Sequence, residues 1–198
     1  MTVTKKNIIK NIVIAVLVVA IAVILIIPLI GSNGSAGAVS RVQIKRTFLV
    51  DADDLPWEAI SSGSSRDLVQ SYVSYSPEIR IRVSNGTDFR FTMKMPLDDV
   101  GLARQDVEFP LTEDEYNDLF RKISGDIIYK TRYSFNYDGM QMTVDIFTHQ
   151  LSGLIFADVE FDSVEDANDF MPPAWFGEDV TADDRYKNAM LSRDGMPS

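Results

Sequence analysis

The sequence predicts an α+β fold: an eight-stranded antiparallel β-barrel, open as a tunnel, with helices packed on its outside and one transmembrane helix ahead of it. Three observations predict it. Four short stretches carry charges of both signs at every second position with apolar residues between them: Glu78-Ile-Arg80-Ile-Arg82, Arg104-Gln-Asp106-Val-Glu108, Lys130-Thr-Arg132 and Asp158-Val-Glu160. Strand patterns separated by turn signals recur about every ten to fifteen residues. Short capped helical stretches offer a cover for an outward apolar face, and an uncharged apolar run of 19 residues lies near the N-terminus.

A strand sends alternate side chains to opposite faces, so each of the four stretches separates its charges from its apolar groups. In most antiparallel sheets the charged face is simply the solvated one. Here that face holds five Arg/Lys and five Asp/Glu, a balance more regular than solubility requires. Basic residues grip phosphate oxygens, and acidic ones hold the hard cations that accompany phosphate. The pattern reads as a barrel whose interior is wet and charged, built for a metal-bound polyanion.

In chain order, residues 1–11 read as a cytoplasmic stub and 12–30 as a transmembrane helix or signal anchor. The run from Ile12 to Ile30 is broken only by Pro28, and at 1.5 Å per residue it spans roughly 29 Å of a hydrocarbon core about 30 Å thick. Lys5, Lys6 and Lys10 precede it, and the first cation after it is Arg41. The positive-inside bias then leaves the N-terminus in the cytoplasm and the domain outside it. A cleaved signal peptide is the alternative, since Ala36-Gly37-Ala38 has the form of a cleavage site. Residues 31–40 read as a flexible linker and 41–198 as the tunnel domain.

Strands are expected over 41–50, 69–75, 78–84, 88–95, 103–110, 127–135, 140–148 and 152–161. Asn85-Gly86 and Asp138-Gly139 mark hairpins. Thr112 with Glu115 forms a capping box ahead of one helix, Ser163 caps a second over 164–170, and Thr181 opens a third segment running to Leu191.

Composition narrows the function classes. Three of the 19 lysines and arginines, and none of the 29 acids, fall in the first 38 residues, so the rest carries 16 cations against 29 acids, a net −13. Nucleic-acid binders present a basic surface, so nucleic acid is not the expected partner. With no cysteine, disulfides, zinc–thiolate sites and a cysteine nucleophile are excluded. His149 has no second histidine near it and reads as a surface residue at a strand end. Trp57 and Trp175 are expected to pack the barrel ends or helices, and Met140, Met142 and Met190 to fill the core.

Phe48-Leu-Val50, Arg80-Ile-Arg82, Thr92-Met-Lys94, Gly101 to Glu108, Lys130-Thr-Arg-Tyr133, Val144-Asp-Ile-Phe147, Ala157 to Phe161, Pro172 to Gly177 and Val180 to Asn188 follow one another over 41–191. In that order and spacing the chain resembles the CYTH-domain proteins of the triphosphate tunnel metalloenzyme family, close to the short bacterial members. The resemblance implies an eight-stranded tunnel that binds triphosphate-bearing compounds with Mg²⁺ or Mn²⁺. Members act as triphosphatases, adenylate cyclases or polyphosphate polymerases.

By that resemblance Arg80, Arg82, Lys94, Arg104, Lys130, Arg132 and Lys187 clamp phosphate. Asp106, Glu108, Asp145, Asp158 and Glu160 hold metal, with Asp158 and Glu160 as the catalytic pair. The family opens its first strand with Glu-x-Glu-x-Lys. Here the register fixed by Phe48 places Gln43, Lys45 and Thr47 at those positions, and Thr143 replaces a further acid. An amide is a weaker ligand for Mg²⁺ than a carboxylate, and an ammonium repels the ion. The expectation is a membrane-anchored domain that binds a small phosphorylated anion with impaired metal-dependent catalysis. The alternative is an active divalent-metal-dependent triphosphatase.

Overall fold

Residues 37–99 and 102–197 are described by the computed structural model. All eight expected strands are present: β1 (Val39–Leu49), β2 (Ser64–Tyr75), β3 (Glu78–Ser84), β4 (Asp88–Pro96), β5 (Ala103–Leu111), β6 (Ser124–Tyr137), β7 (Met140–Phe147) and β8 (Ile155–Phe161). They close into one antiparallel barrel in the order β1-β5-β4-β3-β2-β6-β7-β8. Closure removes every exposed edge and gives the barrel a distinct inside and outside. β1 begins at Val39, inside the stretch expected to be linker, because Val39 and Ser40 pair with Glu108 and Val107 of β5. The expected stub, transmembrane helix and most of the linker lie outside the described residues. Among the described residues no helix is long and apolar enough to cross a membrane.

Both hairpin signals form, with Asn85 and Gly86 at φ 49° and 74° and Asp138 and Gly139 at φ 49° and 84°. Positive φ at both central residues matches the twist of the flanking strands. The described residues also include four α-helices: α1 (Trp57–Ser61), α2 (Glu113–Phe120), α3 (Val164–Asp169) and α4 (Asn188–Asp194). α2 carries the expected capping box, and Ser163 caps α3 by accepting from the Asp166 amide. The segment from Thr181 does not continue as one helix: a 3-10 turn over Asp184–Tyr186 ends at Lys187, whose extended backbone starts α4. α1 was not expected from the sequence. It spans five residues and has no side-chain cap.

Helices cover the outward apolar faces. α2 sets Tyr116 against Phe89 of β4, with ring centroids 5.0 Å apart. Ile60 of α1 joins Phe135, Met142, Val144, Ala157, Val159 and Trp175 in one buried cluster over β6, β7 and β8. Trp175 is part of that core, whereas Trp57 on α1 is half exposed and meets Tyr133 edge-on at 6.1 Å. Met142 is buried in that core with Met140 partly buried against it, whereas Met190 packs against a separate cluster. A second cluster lies where α4 meets the barrel, with Ala189 and Leu191 against Tyr72, Ile128, Phe147 and Phe156. Those last four share their strand faces with the charged residues that follow, so apolar groups occupy one end of the inward face.

Candidate functional site

The barrel encloses a cavity of about 490 Å³. Ten cations and five acids line it: Arg41, Lys45, Arg66, Arg80, Arg82, Lys94, Arg104, Lys130, Arg132 and Lys187 against Glu78, Asp106, Glu108, Asp158 and Glu160. The lining therefore has a surplus of five positive charges inside a chain of net charge −10. Low-dielectric walls strengthen each of these charges relative to bulk water.

All seven residues assigned to phosphate line the cavity, and so do the four altered positions Gln43, Lys45, Thr47 and Thr143. Of the five acids assigned to metal, Asp106, Glu108, Asp158 and Glu160 line it as well. Asp145 is buried behind the wall. Its Oδ1 accepts from Arg132 Nε at 2.6 Å, and its Oδ2 from Lys130 Nζ at 2.8 Å and Arg132 Nη2 at 2.7 Å. Burial raises its pKa, but the two cations outweigh that and hold the carboxyl well below the usual range. Arg132 is stabilised in turn: burial works against its charge, and Asp145 more than restores it. For Lys130 burial wins and lowers its pKa to about 8. Its ammonium also donates to Asn188 Oδ1 at 2.7 Å and lies 5.0 Å from the Phe147 ring centroid.

β1 and β8 form the neighbouring wall. Lys45 Nζ sits 2.8 Å from Asp158 Oδ2, and Thr47 Oγ1 donates to Asp158 Oδ1 at 2.7 Å. Burial lowers the pKa of Lys45 despite Asp158, whereas Lys45 overcomes burial at Asp158 and depresses its carboxyl. The Gln43 amide donates to Glu160 Oε1, and its carbonyl accepts from Arg104 Nε at 2.9 Å. Arg41 approaches Glu160 Oε2 at 3.4 Å.

Across the lumen the pairs are looser. Lys94 lies 3.2 Å from Asp106 Oδ2, and Arg104 3.4 Å from Asp106 Oδ1. Arg80 and Arg82 approach Glu108 at 3.6 and 3.5 Å. The Nε atoms of both arginines are buried without a hydrogen-bond partner. Burial, then Arg80, brings Arg82 down to about 10, and burial with Arg104 and Arg80 lowers Lys94 further from its ordinary value. Lys187 sits on the segment entering α4, its ammonium 2.5 Å from Asp184.

The resemblance implies a divalent cation, which requires several converging oxygens with free lone pairs. Asp145, Asp158 and Glu160 already have both oxygens engaged by cationic or neutral donors. Among the described residues no group of three His, Cys, Asp or Glu side chains is arranged to hold an ion. Asp106 and Glu108 on β5 are held less tightly, and Asp106 Oδ1 has no hydrogen-bond partner. They are two acids that each face two cations, so the set lacks the converging free oxygens a divalent cation needs and does not fit one.

Several lining residues escaped sequence reasoning. Arg41 shares the inward face of Gln43 and Lys45, and alternation alone would have found it. Arg66 and Gln70 lie on β2, whose start at Ser64 was hidden by a polar stretch without alternation. His149 is exposed, as expected, on a short 3-10 turn with its ring 4.2 Å from that of Tyr129.

A closed eight-stranded antiparallel barrel with a cation-rich lumen defines a tunnel-fold protein. No family model matches the chain. An inorganic triphosphatase of Nitrosomonas europaea is 40% identical over 118 residues, 59% of this chain and 76% of that protein. Another, from Acetivibrio thermocellus, is 29% identical over 153 residues, 75% of this chain and 92% of that protein. A solved inorganic triphosphatase structure superposes with a TM-score of 0.56 at 33% identity, covering 79% of this chain and 97% of the other. The chain belongs to the CYTH-like tunnel family that includes these inorganic triphosphatases.

Proposed function

We propose that this protein binds a triphosphate- or polyphosphate-type anion inside its tunnel, at a membrane to which the run from Ile12 to Ile30 anchors it, with impaired metal-dependent catalysis. The surplus of cations in the lumen, five over the lining acids and four once Asp145 behind the wall is counted, carries the reading. Only an anion satisfies buried guanidinium donors and neutralises that charge together. A linear phosphate chain offers acceptor oxygens along its whole length, matching cations spread over β1 to β6. The altered first strand supports weak catalysis, since Gln43, Lys45 and Thr47 bring no carboxylate to the lumen.

Calorimetry on the full-length chain in nonionic detergent tests the binding. Saturable heat with tripolyphosphate at moderate salt is expected, and no binding would overturn the reading. Anchoring is tested separately by protease accessibility in intact cells, which also reports the side of the membrane. Phosphate release from tripolyphosphate with Mg²⁺ or Mn²⁺ addresses the second reading, an active triphosphatase, which the names of the relatives favour. Release that depends on divalent ions and disappears in Glu160→Gln would establish it.

A further inference from the structure

We infer that the tunnel takes its anion without a bridging divalent cation, with Lys45 supplying from the barrel wall the positive charge that an ion would otherwise bring. The inference rests on the anion-binding reading above. β1 turns Arg41, Gln43, Lys45 and Thr47 into the lumen and presents no carboxylate. Its register with β8 sets Lys45 opposite Glu160 and Thr47 opposite Asp158. Lys45 and Thr47 therefore take one oxygen each of Asp158, whose side chain is only 6% exposed.

The other acids also face cations or an amide, tightly on β7 and more loosely on β5, where Asp106 Oδ1 has no hydrogen-bond partner. Gln43 is held by Arg104 through its carbonyl, which turns its amide onto Glu160. Asp145 is shared by Lys130 and Arg132, Asp106 by Lys94 and Arg104, and Glu108 by Arg80 and Arg82. Glu78 is in register with Lys94 across the β3–β4 pair. A divalent ion entering beside Asp158 would have to displace a buried ammonium and then sit next to it. An anion meets the opposite situation. It can lie against Lys45 from the lumen side while Asp158 holds that ammonium in place, and it relieves the repulsion from neighbouring arginines that adds to burial in lowering Lys94 and Arg82. Lys45 is thus a binding residue whose position is fixed by the fold and independent of ion supply.

The test is tripolyphosphate binding by the full-length chain in nonionic detergent, measured by calorimetry first in EDTA and then with Mg²⁺. Mg²⁺ also binds tripolyphosphate in solution, so the inference expects affinity in EDTA equal to or tighter than that with Mg²⁺. Lys45→Gln should weaken binding in EDTA by about tenfold or more, the loss of one charge-assisted contact, and Lys45→Arg should retain it. Mn²⁺ added to the anion-free chain should keep its free-ion spin-resonance spectrum. Binding that vanishes in EDTA and returns with Mg²⁺ would overturn the inference while leaving the anion reading intact. Absence of binding in both buffers would remove both. If Lys45→Gln fails to fold, the EDTA comparison on the unaltered chain still decides.

Discussion

The two walls of the tunnel use the same side chains in different ways. On β6, β7, β8 and β1, Asp145 and Asp158 are gripped at 2.6–2.8 Å by Arg132, Lys130 and Lys45, and both carboxylates are almost fully buried. On β3, β4 and β5, Asp106 and Glu108 face Lys94, Arg104, Arg80 and Arg82 at 3.2–3.6 Å, and two guanidinium Nε atoms have no partner. A buried charge is stable only when its hydrogen-bonding capacity is met, so the first wall is complete as it stands. The second keeps unmet donors, and unmet buried donors mark where an outside acceptor belongs. The comparison assigns the paired acids of the first wall to structure and the under-paired donors of the second to ligand grip, while Lys45 and Lys130, held by Asp158 and Asp145, still present charge to the lumen.

The contrast can be broken most directly through stability. Asp145→Asn removes the acid shared by Lys130 and Arg132 and should cost about 3–5 kcal/mol in chemical denaturation, the range for breaking a buried pair. Glu108→Gln on the other wall leaves a longer, more exposed contact and should cost about 1 kcal/mol or less. Equal losses would erase the distinction.

Binding should show the reverse order. Arg82→Gln is expected to weaken tripolyphosphate binding by roughly 10- to 100-fold, with the unfolding midpoint nearly unchanged, because the Arg82 Nε has no partner in the protein and its contact with Glu108 is long and shared with Arg80. The same calorimetric titration on the variant checks it.

Two pH effects sharpen the picture further. The Asp145 carboxyl is held below its ordinary 3.8, so an unfolded chain binds its proton before the folded one does. The stability it contributes is fully present above about pH 4 and is lost as pH falls below that, a slope Asp145→Asn should flatten. Lys130, lowered to about 8, loses its charge above that pH in the anion-free tunnel, whereas an ordinary lysine holds it to about 10.5. Anion affinity should therefore decline as pH rises through 8, by at most about tenfold per pH unit for one proton. Titrations at pH 7 and 9 measure it.

Much of this was legible in the chain. Alternation in Arg80-Ile-Arg82 and Arg104-Gln-Asp106-Val-Glu108 separates lumen from exterior because a strand has a period of two, and the two hairpin dipeptides fix where strands reverse. Thr112 with Glu115 marks α2 because its hydrogen bonds are local. What escaped depends on long-range packing. α1 is five residues held by contact with β6, and Arg66 enters the lumen only because β2 extends five residues further toward its N-terminus than its alternating part. The pairing of Lys45 with Asp158 joins residues 113 positions apart, and only the β1–β8 register reveals it. Sequence located the charges; closure of the barrel decided which of them were already matched.

The most direct measurement is calorimetry of tripolyphosphate with the full-length chain and with Arg82→Gln, both in EDTA. Saturable binding by the unaltered chain and a loss of about tenfold or more in the variant, at matched thermal stability, is the predicted result. No binding, or equal binding by both, would contradict an anion site on the under-paired wall.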